Sequence, residues 1–226
     1  MLQRLFLAFA IVIVVAGPAR AASTCKPVGT PEIAIQSEKP RISYDQALSR
    51  DAILAFARRN DPSAGRGYDG LLGITDTDLK RSARYEVAIV QNPTGDYCFS
   101  FHSIDVTLTW TIVVHVASQL KPGSCMYRVV STHEQGHVDI DLAAMGYGQR
   151  LMEAALASLK GKAIAAATPE AGTAILKQAL TEKLDAAFNT LEADLKQRQK
   201  GHDTPEEYAK PAKICGVEEN NRALED

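Results

Sequence analysis

Two consecutive stretches decide the fold, Ile104-Asp105-Val106-Thr107-Leu108-Thr109-Trp110-Thr111-Ile112-Val113-Val114-His115-Val116 and Ser124-Cys125-Met126-Tyr127-Arg128-Val129-Val130-Ser131-Thr132-His133-Glu134-Gln135-Gly136-His137-Val138-Asp139-Ile140. In the first segment every even position is apolar while Asp105, Thr107, Thr109, Thr111 and His115 take the other face, the period of a half-buried strand. The even face is expected to pack on helices and the Thr-rich face to meet solvent or a partner. Past Lys121-Pro122-Gly123 the period rises to nearly four, with Ser124 placed to cap a helix. That helix is expected to run to about Lys160, bent at Gly146 and Gly148.

Within the helical segment stands His133-Glu134-Gln135-Gly136-His137. Histidines at i and i+4 lie one above the other on a helix, about one turn apart. Two imidazoles so placed can grip one metal ion, usually zinc, with Glu134 positioned to take a proton from water at the metal. The apolar residues Met126, Val129, Val130, Ile140 and Ala144 continue a stripe into the face of His133 and His137, so the two rings point inward, where an unpaired imidazole is costly.

The other segments surround this pair. Ser43-x-x-Gln46 reads as a capping box opening a helix to about Arg59, stopped by Asn60-Asp61-Pro62, and a glycine-rich loop follows from Gly65 to Gly70. Tyr85, Val87 and Ile89 alternate as a strand, and Asn92-Pro93-Thr94-Gly95 turns into a second at Tyr97 to Phe101. Thr168-Pro169-Glu170 begins a last long helix, with Leu176, Leu180, Leu184, Phe188, Leu191 and Leu195 on its core stripe and Gly201 as its stop. Thr204-Pro205-Glu206-Glu207 reads as the capping box of a short final helix.

Arg4, the apolar run Leu5 to Ala16, Gly17-Pro18 and Ala19-Arg20-Ala21 have the parts of a secretory signal peptide, expected over residues 1–21 with cleavage after Ala21. The run is too short to anchor the chain stably in a bilayer. Residues 22–226 are expected to form a single domain, since no linker or repeat divides them. Loss of Arg4 and Arg20 moves the formal charge from −2 to −4, which leaves nothing basic enough to favour nucleic acid. The expected location is periplasmic or secreted. There the four cysteines, Cys25, Cys98, Cys125 and Cys215, suggest two disulfides. Of the three possible pairings, Cys25 with Cys215 and Cys98 with Cys125 is the one expected, because it ties the chain ends together.

The signal peptide, the strand Val106 to Val116, the turn Pro122-Gly123-Ser124-Cys125 and the run His133-Glu134-Gln135-Gly136-His137-Val138-Asp139-Ile140 together resemble a family of bacterial secreted or periplasmic zinc-dependent proteases. The resemblance covers the layout of about residues 65 to 215, and the His-Glu-x-x-His core is its specific part. It implies an α+β, zincin-like domain: a small antiparallel sheet packed on an active-site helix and a long C-terminal helical hairpin. It also implies one zinc per chain on His133 and His137, with Glu134 as the general base.

A catalytic zinc normally takes a third protein ligand. Ala143 stands where the extended metzincin pattern needs histidine, and Asp141, on the same helix, cannot easily join two earlier turns around one ion. Counting along an antiparallel hairpin places the later part of the last long helix level with the metal. His202 is therefore the expected third ligand, as the only histidine after His137, and Glu192 is the runner-up. Members of the resembling family carry a Tyr-Asp segment here with a histidine a few residues on, whereas this chain reads His202-Asp203-Thr204-Pro205-Glu206-Glu207-Tyr208.

The expected activity is hydrolysis of a peptide or protein substrate by metal-activated water, with Tyr208, Tyr147 or His115 as candidates to stabilise the oxyanion. The wetter edge of the Thr-rich strand is expected to align an extended substrate. A zinc amidase acting on cell-wall peptides, or a non-catalytic secreted binding or assembly protein with a structural or vestigial metal, are the alternatives. Oligomeric state is not written in these residues.

Overall fold

The computed structural model describes residues 25–60, 71–93, 95–216 and 218. The expected signal peptide and the Gly65 to Gly70 loop lie outside the described residues. In chain order the elements are β1 (Glu32–Ser37), β2 (Arg41–Asp45), α1 (Arg50–Asn60), β3 (Gly73–Gln91), β4 (Tyr97–Val116), α2 (Cys125–Ala157), β5 (Ala163–Ala166), α3 (Pro169–His202) and α4 (Pro205–Cys215).

β4 is the strand on which the rest assembles. Its even positions Ile104, Val106, Leu108, Trp110, Ile112 and Val114 are all fully or almost fully buried, and each large side chain so buried contributes about 1.5–3 kcal/mol. The odd positions from 105 to 115 stay partly or wholly open. Phe99, Leu108 and Trp110 share one hydrophobic cluster with Met152, Leu156, Leu176, Leu184 and Leu191 from α2 and α3. Ile112, Val114 and Val116 share a second with Ile53, Leu72, Met126, Val130 and Val138. The even face therefore packs on helices, as its alternation predicts.

The architecture is α+β, but the sheet is mixed and not antiparallel throughout. One edge of β4 is covered along nearly its whole length by β3, antiparallel, from Gly73 opposite Val116 to Gln91 opposite Tyr97. β5 pairs antiparallel with Tyr97 to Ser100, β1 parallel with Ser103 to Leu108, and β2 parallel with Thr111 to His115. The short strands β1 and β2 follow one another along the same edge of β4, both in its direction. With partners on both sides β4 has no edge left for a substrate, and the long unpaired edge of the described sheet belongs to β3.

Several local expectations shift. Ser43 lies in β2 and caps nothing; Ser49 does so, its Oγ accepting from Ala52 N at 3.2 Å. Gln46 instead donates to the carbonyls of Ala117 and Leu120 after β4. Ser124 caps α2, accepting from Tyr127 N at 3.2 Å, and α2 is one continuous helix through Gly146 and Gly148. Thr168 caps α3 and Thr204 caps α4, as their Thr-Pro pairs predict. α3 does not stop at Gly201: it continues to His202 and is capped at Asp203. Cysteine pairing also differs, joining Cys25 to Cys98 and Cys125 to Cys215. The first bond fixes the segment before β1 to the start of β4; the second fixes the end of α4 to the start of α2. No helix among the described residues is long and apolar enough to cross a membrane.

α2 and α3 form the expected antiparallel pair, with an offset. His137 meets Gln199, and Gly148 meets Leu191, so the first turns of α3 run past the end of α2 and pack on Phe99 instead. At Gly172 a Cβ would fall 2.2 Å from the Phe99 ring, which is fully buried and cannot yield. Replacing Gly172 by alanine is expected to cost about 1–3 kcal/mol by overpacking. The control Gly146→Ala, where a Cβ meets only the end of Arg150 at 3.5 Å, is expected to be neutral or stabilising by up to about 1 kcal/mol. Urea unfolding of both variants checks the pair.

Candidate metal centre

α2 carries His133, Glu134 and His137 on the face that meets β3, the end of α3 and the start of α4. Helical spacing alone brings the two rings together: their centroids are 4.9 Å apart, their planes at 84°, and their Nε2 atoms 3.2 Å apart. His202, at the end of α3, joins them, with its ring 4.7 Å from that of His133 and 4.8 Å from that of His137. These three histidines form a cluster that could hold a metal ion, one ligand atom from each lying within 4.8 Å of the others. Gly136 makes the approach possible, since a Cβ there would fall 2.3 Å from His202 Nε2.

Sequence reasoning missed the neighbouring residue. Asp203 Oδ1 stands 3.1 Å from His133 Nε2 and 3.0 Å from His137 Nε2. Three ligands held at 2.0–2.1 Å around a tetrahedral ion are ~3.3 Å from one another. The triangle formed by two imidazole nitrogens and one carboxylate oxygen thus has nearly the dimensions of three corners of such a shell, and the donor set suits a borderline cation such as zinc.

The outer nitrogen of the His137 ring is also held. Gln199 donates from Nε2 to the Asp141 carboxylate at 2.6 Å and to the His137 carbonyl at 3.2 Å. Both are acceptors, so its Oε1 is the atom turned to His137 Nδ1. That ring therefore donates from Nδ1 to Gln199, which turns Nε2 to the shared point. Asp141 is the buried anchor of this chain of bonds, also accepting from Thr77 Oγ1 on β3. His133 Nδ1 faces the Glu207 carboxylate of α4 at 3.8 Å.

Glu134 is 4 % exposed. Its Oε2 accepts from Thr75 Oγ1 at 2.9 Å, and Gly73 lets the β3 backbone lie against its other oxygen, where a Cβ would come within 2.6 Å. Burial pushes the Glu134 carboxyl up, opposed by the two histidines and Thr75. Burial likewise pushes Asp141 up. For His137, burial opposes the charged ring, but Asp203, Glu134 and Gln199 outweigh it and hold its pKa at about 9. Burial works to raise Asp203, yet its contacts with His133 and His137 hold it well below the usual carboxylate range.

The remaining candidates divide. Tyr208 lies at the site, its ring 5.6 Å from that of His133. Tyr147 does not; it packs against the main core beneath the Arg198 guanidinium. His115 sits on the other sheet face, bonded to Asp45 at 3.0 Å and against Phe56. Glu192 is exposed, next to the Leu191 that packs on Gly148 and so about two turns from the Gln199 that meets His137. The hairpin count brings the later part of α3 level with His137, as observed, but lands on Glu192 and not Gln199 because it assumes helix ends that are level, whereas α3 overhangs α2.

Beside the cluster opens a cavity of about 1020 Å³, walled by His133, Glu134 and the apolar side chains of Leu71, Leu72, Val130 and Ile214. Because Gln199 orients a candidate ligand, Gln199→Ala is expected to weaken divalent-metal binding by about 10–100-fold. Competition against a chromophoric chelator measures this, and unchanged affinity would show that the His137 ring needs no such support. No protein-family model, curated protein or solved structure matches this chain.

Proposed function

We propose that this chain is a zincin-like zinc-dependent peptidase of an oxidising compartment, periplasmic or secreted. The observation that carries the reading is the convergence of His133 Nε2 and His137 Nε2 on a point shared with the 202–203 corner, with a buried Glu134 beside them and a cavity opening onto both. Two disulfides fit the compartment.

Zinc in such a shell supplies a Lewis acid and lowers the pKa of water toward neutrality. The chain's own residues do the rest. His133 and His137 offer neutral Nε2 lone pairs, the second ring steered by Gln199 and Asp141. Glu134 takes the proton from the water that attacks a peptide carbonyl, then delivers it to the departing amine nitrogen. Its raised pKa suits both halves of that exchange, because a carboxylate of ordinary acidity is a poorer proton donor near neutral pH. Thr75 holds one carboxylate oxygen and so leaves the other for the proton. Tyr208 shares the cavity with His133 and Glu134 and is the candidate to steady a developing oxyanion. The unpaired edge of β3 begins at Gly73, against Glu134, and offers main-chain donors and acceptors to an extended peptide.

The division of labour is testable. Glu134→Gln keeps size and the bond from Thr75 but cannot accept the proton. It is expected to retain the zinc content of the unaltered chain while hydrolysis of a mixed peptide library falls by about a hundredfold or more. Equal cleavage rates in the two proteins would remove the peptidase mechanism and leave only a metal site.

A further inference from the structure

We propose that Asp203 supplies the third protein ligand, making a two-histidine, one-aspartate centre, and that His202 is a positioning residue that clamps the active-site helix. This rests on the zinc reading above and deepens it.

Ring orientation separates the two candidates. An imidazole binds a metal through a lone pair lying in its own plane, so two rings can share an ion only where their planes intersect at the ion. His133 and His137 meet that condition, with planes at 84°. His133 and His202 do not: they are stacked, their planes only 17° apart, with centroids separated by 4.7 Å. In a stacked pair the in-plane lone pairs run side by side and are not aimed at one ion. His202 Nε2 moreover donates to the His133 backbone carbonyl at 3.2 Å, which leaves only Nδ1 of that ring as a possible ligand atom.

That hydrogen bond gives His202 a different task. Within α2 the carbonyl of His133 is the partner of the His137 amide, so His202 grips the turn that sets the spacing of the two rings. Gly136 is the opening through which it reaches. The Asp203 carboxylate, next in sequence and at the α3 cap, then falls between the two Nε2 atoms at 3.0 and 3.1 Å. The helix end thus delivers a clamp and a ligand from consecutive residues. Chemically, a carboxylate in place of a third imidazole makes the protein shell anionic overall and offsets part of the ion's charge.

X-ray absorption at the zinc K edge, on the full mature chain loaded with one equivalent of zinc, tests this without a substrate or a variant. The expected shell contains two imidazoles and a carboxylate oxygen, because the multiple scattering of imidazole rings counts them. A three-imidazole shell would overturn the assignment of Asp203 while leaving the metal reading intact. Failure of the chain to bind zinc at all would overturn both. In parallel, Asp203→Ala is expected to weaken zinc binding by about a hundredfold or more, and His202→Ala by no more than about tenfold. The reverse order of losses would overturn the proposal, and circular dichroism of both variants reports whether either loss comes from unfolding.

Discussion

The alignment of α3 against α2 governs the geometry of the whole site. Gly148 admits Leu191 into the groove between the helices, and Gly172 admits Phe99 beneath the first turns of α3. Together these close approaches fix how far α3 slides along α2, since a shift of one turn, ~5.4 Å, would drive side chains into both. The same alignment delivers Gln199, His202 and Asp203 to the level of His133 and His137. Ligand geometry is thus set by apolar packing well away from the polar site, in a core that tolerates little displacement.

Charge explains the polar arrangement. Glu134, Asp141, Asp203 and Glu207 surround a small group of histidines, and two of these carboxylates are almost wholly buried. Carboxylates removed from water are costly unless paired or hydrogen-bonded, and each of the buried two has such a partner: Thr75 for Glu134, Thr77 and Gln199 for Asp141. Asp203 differs in having the two imidazoles as its partners. These contacts favour a proton on His137, which balances it. A divalent cation at the shared point would replace that proton and supply a larger compensation. The groups that hold the candidate ligands and the base in place come from β3, α3 and α4, three separate elements, which makes the centre sensitive to the integrity of the whole fold.

Much of this was legible in the sequence where a local pattern carried the physics. The even positions of β4, the caps at Ser124, Thr168 and Thr204, and the leucine stripe of α3 are each decided by residues a few positions apart. So is the pairing of His133 with His137. What was not legible depends on partners distant in the chain. β1, β2 and β5 acquire their strand form from pairing with β4, and Ser43-x-x-Gln46 imitates a cap although Gln46 serves the loop after β4. The disulfide pairing follows from which segments β4 and α2 anchor. Asp203 was hidden because it is one residue past a helix end and one before a capping threonine, where an aspartate ordinarily serves only the local backbone. The count along the hairpin landed on Glu192, the runner-up to His202, because it could not include the overhang of α3.

If the site is a metal centre, an ion belongs at one particular point between two rings of α2. Diffraction from crystals of the zinc-treated mature chain, recorded above and below the zinc absorption edge, locates that ion or shows that it is not there. A single strong anomalous peak is expected about 2.0–2.1 Å from the Nε2 atoms of both His133 and His137. Well-ordered rings with no anomalous peak between them would contradict the metal reading.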